Sequence, residues 1–228
     1  MSVHYDLVLR KLQLTSPDGR MATMNTSVPN SKILVPVIRP AGLDDLNLCL
    51  ALDPSYSTES VWQMDVQSED GRRAMTFRTV RLPRSMHVTY PRGRDQFVAS
   101  WKRCDGFLVA LQPETPTDNP MQSMGIPMQS MGIIGYVALT AHAAEGAVWI
   151  SDLVVEREHR RHSVGTALLN AALEWAKSRG LRQVLVEVQT KNYPAICMCE
   201  KLGFVFCGFN DRYYANQDIA VFFARNLR

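Results

Sequence analysis

Apolar runs divide the C-terminal half of the chain into strands and amphipathic helices. The runs GAVWISDLVV (146–155) and LRQVLVEVQ (181–189) predict two buried strands. Between them, VGTALLNAALEWAKSRG (164–180) repeats apolar residues at helical spacing and predicts a helix that ends at Gly180. YPAICMCEKLG (193–203) predicts a second, shorter helix with proline in its first turn. This strand, helix, strand order predicts an α/β fold with a mixed sheet that contains a parallel pair.

The remaining pattern is weaker. One helix is predicted in GLDDLNLCLALD (42–53), and segments 53–70 and 114–132 are expected to be loops. The heptapeptide PMQSMGI occurs twice in tandem (120–133), which predicts a duplicated loop insertion between two strands of a hairpin. Residues 1–32 are predicted to be an N-terminal arm, and 33–228 the single domain. Further strands are predicted at 33–41, 72–82, 106–112, 132–141, 204–209 and 218–227.

Composition excludes several classes of protein. No apolar run reaches the roughly 18 residues of a membrane span, and the N-terminus lacks a signal-peptide pattern. The five cysteines form no CxxC pair, so neither a disulfide framework nor a metal site is expected. The net charge of +3 is too small to indicate nucleic-acid binding. We therefore expect a cytoplasmic protein with reduced thiols, and the sequence leaves a homodimer open.

Charge is segregated along the chain. Residues 40–71 contain seven acidic residues and no Lys or Arg, whereas residues 72–103 contain nine basic residues and only one acidic residue, Asp95. Such blocks are usually solvated faces or strand edges that pair with each other. The alternative is that the acidic block attracts a cationic substrate at the site entrance, with Asp53 and Glu59 facing it.

The segment EHRRHSVGTALL (158–169) connects the first buried strand to the long helix, a position where backbone N–H groups can hold an anion. Within it, Arg160-Arg161-His162-Ser163-Val164-Gly165 resembles the coenzyme motif of the GNAT superfamily of N-acetyltransferases, with Ser163 where that motif has glycine. The resemblance implies a GNAT fold, in which a twisted mixed sheet is splayed between two parallel strands and has helices on both faces. It implies acetyl-CoA as co-substrate and no metal. The implied coenzyme residues are Leu153, Val154, Val155, Arg160, Arg161, His162, Ser163, Val164, Gly165, Thr166 and Asn192.

Two further motifs strengthen the resemblance. NYPA (192–195) and EKLGF (200–204) stand at the spacing of this superfamily, with Asn192 able to bond a pantetheine amide. The segment LVEVQTKNYPAICMCEKLGFVFCGFNDRYY (184–214) resembles the streptothricin acetyltransferase branch. Glu187, Gln189 and Asn192 match that branch, whereas Val188 replaces its threonine. Ser163 places a side chain where the coenzyme approaches, and its hydroxyl is itself a donor for a phosphate.

Acetyl transfer needs a base for the amine, a donor for the thioester oxygen and an acid for the leaving thiolate. The resemblance implies that a bulged N–H within Leu153–Val155 is the oxygen donor. Asp152 and Glu187 are the candidate bases, and Glu156 is a third. Cys199 stands where the family usually has its tyrosine acid, so it is either the acid or a buried packing residue. Three tyrosines are alternative acids: Tyr193, Tyr213 and Tyr214.

The sequence therefore predicts an N-acetyltransferase that acetylates a primary amine of a small cationic molecule, with streptothricin as the leading acceptor. One alternative is an enzyme that acetylates protein N-termini or lysines. Another is a module that binds an acyl-CoA and turns it over weakly, because both the motif glycine and the usual tyrosine are replaced.

Overall fold

The computed structural model describes residues 36–112 and 132–227. Within these residues it contains a seven-stranded mixed sheet, a two-stranded ribbon and four α-helices. The predicted arm (1–32) and all but the last two residues of the tandem repeat lie outside the described residues, so the domain boundary and the loop insertion stay predictions.

The elements follow one another along the chain with short connections. The strands are β1 (Val37–Pro40), β2 (Tyr56–Glu69), β3 (Arg72–Val88), β4 (Gly106–Leu111), β5 (Ile133–His142), β6 (Ala147–Val155), β7 (Gln183–Gln189), β8 (Val205–Asn210) and β9 (Ala220–Asn226). The helices are α1 (Asp45–Ala51), α2 (Arg94–Arg103), α3 (Val164–Ser178) and α4 (Tyr193–Lys201), and a 3₁₀ turn covers Arg157–His159.

The main sheet has the order β1-β4-β5-β6-β7-β9-β8. Its neighbours are antiparallel except β6 and β7, which are parallel and are connected through α3. A parallel pair needs such a crossover because the chain must return to the same edge of the sheet. The predicted α/β fold with a mixed sheet is confirmed.

Helices cover both faces of the sheet, as predicted. One face packs against α3 and α4, and its core includes Leu139, Ile150 and Leu168, each at most 1% exposed. The opposite face packs against α1 and α2 around Val109 and Tyr136. Successive residues of β4 and β5 alternate between the two cores, as the pleat of a strand requires.

The segment 53–70 is not a loop, as the sequence predicted, because most of it forms β2. This strand pairs with β3 in a long hairpin, here called the ribbon, whose turn contains Asp70 and Gly71 with positive φ. The base of the ribbon is attached to the main sheet, since the Trp62 N–H donates to the Thr190 carbonyl (2.9 Å). The ribbon therefore stands beside the end of β7.

Candidate active site

The parallel strands β6 and β7 separate in the middle of the sheet. Their pairing ends at Ile150 opposite Val186, a point called here the fork. Beyond the fork β6 stays paired with β5, and β7 stays paired with β9. A cleft with a cavity volume of about 50 Å³ opens between them. The predicted sheet splayed between two parallel strands is present.

The edge of β6 that faces the cleft presents backbone groups. The Glu156 N–H donates to the Ile134 carbonyl on β5 (2.9 Å), and alternate residues of an antiparallel strand bond to the same neighbour. By this alternation the N–H and C=O groups of Leu153 and Val155 point to the cleft. Those of Val154 point to β5, so Val154 does not share the exposed edge with its two neighbours.

A β-bulge lies next to the fork. The register of β5 and β6 shifts between Asp152 opposite Ala138 and Ile150 opposite Leu139, which leaves Ser151 as the extra residue. The resemblance implied a bulged N–H within 153–155, and the structure corrects this position, since the pairing there is regular. Bulges re-aim neighbouring groups, and this bulge lies directly before the candidate base Asp152.

The turn that leads into α3 has the geometry of an anion-binding helix start. Arg161 (φ 66°) and Ser163 (φ 64°) both adopt left-handed backbone conformations. Ser163 is the residue before the helix, and its side chain makes no capping hydrogen bond. The first N–H groups of a helix have no partner within it, so those of Val164, Gly165 and Thr166 are available to a ligand.

Side chains of the turn divide between support and exposure. The Arg160 guanidinium donates to the carbonyls of Val155 (2.7 Å), Ser55 (2.6 Å) and Asp53 (2.8 Å). Burial lowers the pKa of Arg160. This side chain therefore ties β6 to the connection between α1 and β2. Arg161, His162 and Ser163 are exposed.

Asn192 lies where β7 leads into α4. It precedes the helix, and its side-chain oxygen accepts from the Ala195 N–H (3.2 Å). It also lines the cleft. Because the oxygen caps α4, the side-chain NH₂ is the group that remains to donate to a ligand.

Asp152 and Glu187 flank the fork, one on each strand, and each side chain is only 3% exposed. The guanidinium of Arg92 lies between them. Its Nη2 donates to Glu187 (2.5 Å), and its Nη1 donates to Asp152 (3.3 Å) and to the Ser151 carbonyl (2.6 Å). Burial lowers the pKa of Arg92, but the two carboxylates more than offset this and raise it above its usual value.

Tyrosine hydroxyls complete the shell of these carboxylates. Tyr90 donates to Asp152 (2.7 Å), and Tyr213 donates to Glu187 (2.9 Å). Burial raises the pKa of Tyr90 well above its usual value and that of Tyr213 to about 12. The ring of Tyr214 lies 5.7 Å from the Arg92 guanidinium carbon. At neutral pH the tyrosines therefore keep their protons and act as donors.

Glu156, the third candidate base, lies apart from this pair. It follows the end of β6, its side chain is 41% exposed, and its carboxylate is 3.7 Å from the imidazole of His159. The structure therefore groups Asp152 with Glu187 and leaves Glu156 outside.

Cys199 is fully buried in α4 and belongs to the core, although it also lines the cleft. Burial raises the pKa of its thiol to about 12, so the thiol keeps its proton at neutral pH. Both roles predicted for Cys199, acid and packing residue, thus remain open. Among the alternative acids, Tyr214 lines the cleft and Tyr213 bonds to Glu187, whereas Tyr193 does not line it.

Several residues of the acidic block pair locally. Asp45 accepts from Arg39 (2.6 and 2.9 Å), and Asp65 on β2 accepts from Arg78 on β3 (2.7 Å). The Asp53 carboxylate accepts from Ser55, and its carbonyl accepts from Arg160. Asp53 therefore lies beside the turn before α3 rather than at the carboxylate pair.

Sequence reasoning missed Arg92 and Tyr90 as site residues. Arg92 is separated from its partner Glu187 by 95 positions, and it was hidden among nine basic residues. Its one local signal is its place between Pro91 and Gly93, where the chain turns into α2.

A larger cavity of about 610 Å³ lies at the other end of α3, where Trp101, Trp175 and Arg179 form part of its wall. It holds no pair of facing carboxylates and no helix start, so we place the candidate site at the fork. In residues 36–112 and 132–227, no helix is long and apolar enough to cross a membrane. The same residues contain no cluster of His, Cys, Asp and Glu suited to a metal ion.

Relatives of known activity align with parts of this chain. Streptothricin acetyltransferase of Streptomyces lavendulae is 32% identical over 82 residues, which cover 36% of this chain and 43% of that protein. The chain thus spans less than half the length of that relative. N-alpha-acetyltransferase of Saccharolobus solfataricus is 32% identical over 122 residues, which cover 53% of this chain and 69% of that protein.

Solved structures share the fold. Nourseothricin acetyltransferase superimposes with a TM-score of 0.67 at 22% identity, over 85% of this chain and 99% of that one. A putative streptothricin acetyltransferase from Bacillus anthracis in complex with acetyl coenzyme A gives 0.60 at 21% identity, over 85% and 100%. The profile of the acetyltransferase (GNAT) family matches residues 91–204, which include the fork, the turn before α3 and α4. The chain therefore belongs to the acetyltransferase (GNAT) family.

Proposed function

We propose that the protein is an acetyl-CoA-dependent N-acetyltransferase that acts on a primary amine of a small cationic molecule, with a streptothricin-type antibiotic as the leading acceptor. One observation carries this proposal. The fork brings a buried carboxylate pair, Asp152 and Glu187, to the cleft that also contains the free edge of β6.

The coenzyme fits the residues of this cleft. The N–H groups at the start of α3 suit a pyrophosphate, with Arg161 and His162 exposed beside them. The backbone groups of Leu153 and Val155 suit the amides of the pantetheine arm, and the Asn192 NH₂ is a further donor. When bound, acetyl-CoA supplies the acetyl group as an activated thioester. The acetyl-CoA complex of the Bacillus anthracis protein, which has the same fold, supports this assignment.

On the acceptor side, the carboxylates have two tasks. They attract the ammonium form of an amine, and they receive its proton, directly or through water, before the nitrogen attacks. Tyr90 and Tyr213 hold the two carboxylates by donating to them, so the orientation of each is fixed. The leaving sulfur needs a donor, and Tyr214 and Cys199 line the cleft where one is needed.

A protein N-terminal amine is the second candidate acceptor. The alignment with the Saccharolobus solfataricus N-alpha-acetyltransferase favours it, because that alignment covers more of both chains than the alignment with the Streptomyces enzyme. A small acceptor is favoured by two streptothricin-type relatives, one in sequence and one in fold. We further infer the cytoplasm as its compartment, consistent with the five free cysteines.

The test combines binding and turnover. Isothermal titration with acetyl-CoA measures coenzyme binding, and release of free thiol is then followed with streptothricin, a set of diamines and a peptide with a free N-terminus. We expect the highest kcat/KM with streptothricin. Peptide as the best substrate would favour the second candidate, and binding without thiol release would identify a binding module.

Matched variants locate the chemistry. Asp152→Asn and Glu187→Gln should each lower kcat/KM for the amine by about a hundredfold or more, the usual scale for a positioned acid or base. Glu174→Gln, an exposed carboxylate on α3 that bonds only to Lys177, is the control and should behave like the parent. Equal kinetics in all three would contradict the assignment of the fork.

A further inference from the structure

Arg92 occupies the fork itself. The Ser151 carbonyl lies just beyond the last paired residue of β6, and it accepts a hydrogen bond from Arg92 (2.6 Å) where β7 no longer reaches. The same guanidinium bonds to Asp152 on β6 and to Glu187 on β7. One side chain therefore spans the two strands at the point where their backbones separate.

We propose that Arg92 is a positioning residue that holds Asp152 and Glu187 at a fixed separation and sets the charge of the acceptor pocket. Two carboxylates and one guanidinium leave one net negative charge, which matches a single cationic amine. The chemical class of this acceptor, an amine, rests on the proposed function.

The value of that charge matters because the amine must bind as a cation and react as a neutral base. A like pair of charges only partly exposed to water stabilises an ammonium strongly and resists its loss of a proton. With Arg92 between the carboxylates, the pocket still attracts the cation but holds its proton less firmly. Arg92 therefore exchanges some acceptor affinity for turnover.

The other titratable groups that face the pair do not supply this charge. They are the hydroxyls of Tyr90, Tyr136, Tyr213 and Tyr214 and the thiol of Cys199. Burial raises the pKa of each of them, so all five are neutral near pH 7. The nearby Lys191 is paired with Asp218. Arg92 is the cation that contacts the carboxylates.

Steady-state kinetics against pH test the charge. In Arg92→Gln, we expect the KM for a cationic amine at pH 8 to fall. We expect kcat at pH 7.5 to fall at least tenfold and to recover as the pH rises, with the KM for acetyl-CoA within twofold of the parent. Arg92→Lys, which keeps the charge, should retain the pH profile of the parent. Arg94→Gln, an exposed arginine at the start of α2, is the control and should change none of these constants.

Thermal unfolding tests the bridge without any turnover. In Arg92→Gln, the facing carboxylates share a proton in the folded state at a pH where the unfolded chain binds none. Folding then takes up a proton, so stability is lost as the pH rises. We expect the fall in Tm relative to the parent to be about 2–4 °C larger at pH 8 than at pH 5.5.

The outcomes separate the two proposals. A uniform loss of Tm at both pH values, or a raised KM with an unchanged pH profile, would mean that Arg92 only packs the fork and would overturn this inference. If the parent acetylates no amine, the proposed function fails, and the pH dependence of Tm still decides whether Arg92 sets the charge of the pair.

Discussion

Replacement of Ser163 by glycine should stabilise the protein. Ser163 has φ 64° and ψ 6°, a left-handed conformation that costs a residue with a Cβ about 1–2 kcal/mol and costs glycine almost nothing. The more flexible unfolded chain of the glycine variant offsets about 0.4–1 kcal/mol of this gain. No capping bond is lost, because the Ser163 side chain makes none. The expected net gain of about 0.5–1 kcal/mol corresponds to a rise in Tm of about 1–4 °C for a chain of this size.

Thermal unfolding of Ser163→Gly and Ser163→Ala measures this directly. Alanine removes the hydroxyl but keeps the Cβ, so it keeps the strain and should not raise Tm. Calorimetric titration with acetyl-CoA should show equal or tighter binding for the glycine variant, since the Cβ no longer stands beside the N–H groups at the start of α3. A Tm for Ser163→Gly that is no higher than that of Ser163→Ala would refute the argument from backbone strain.

Three further predictions concern the coenzyme, the candidate acid and the acidic block. Gly165→Asp should abolish acetyl-CoA binding in calorimetry, because a carboxylate at the helix start repels the pyrophosphate; Gly165→Ala, whose Cβ would meet the Met198 sulfur at 3.2 Å, should retain binding. If Cys199 protonates the leaving thiolate, Cys199→Ala should lower kcat by about a hundredfold at unchanged acetyl-CoA affinity, whereas parent-like turnover would identify a packing residue. Asp53→Asn with Glu59→Gln should leave the KM for a cationic amine within twofold of the parent, and a several-fold rise would return the acidic block to the acceptor entrance.

The coenzyme side could be predicted from sequence because it is built by consecutive residues. The buried strand β6, the turn at 157–163 and the helix α3 follow one another, so their apolar patterns and the motif appear in one stretch. Even there, two details depend on pairing with other strands. The bulge at Ser151 and the orientation of Val154 toward β5 follow from the β5–β6 register, which no local pattern specifies.

Two elements were missed because they bury little apolar surface. In α2, Phe97 is the one residue classed as buried, so the helix shows no apolar periodicity. The outer part of β2 is exposed on both faces, with Val66 58% exposed, so polar and apolar residues do not alternate there. Pairing with β3 rather than burial defines that strand, and pairing is invisible in the sequence of one strand alone.

Coenzyme recognition and acceptor recognition have different origins in this chain. The family match, residues 91–204, contains the start of α3, the fork and its carboxylates, all of which the shared acetyl-transfer chemistry needs. Three tyrosines that surround the pair, Tyr90, Tyr213 and Tyr214, lie outside that match. They come from the end of the ribbon and from the β8–β9 connection, elements whose length and sequence do not affect the coenzyme cleft. Exchanging these segments with those of an N-alpha-acetyltransferase should therefore change the preferred amine while acetyl-CoA affinity stays constant.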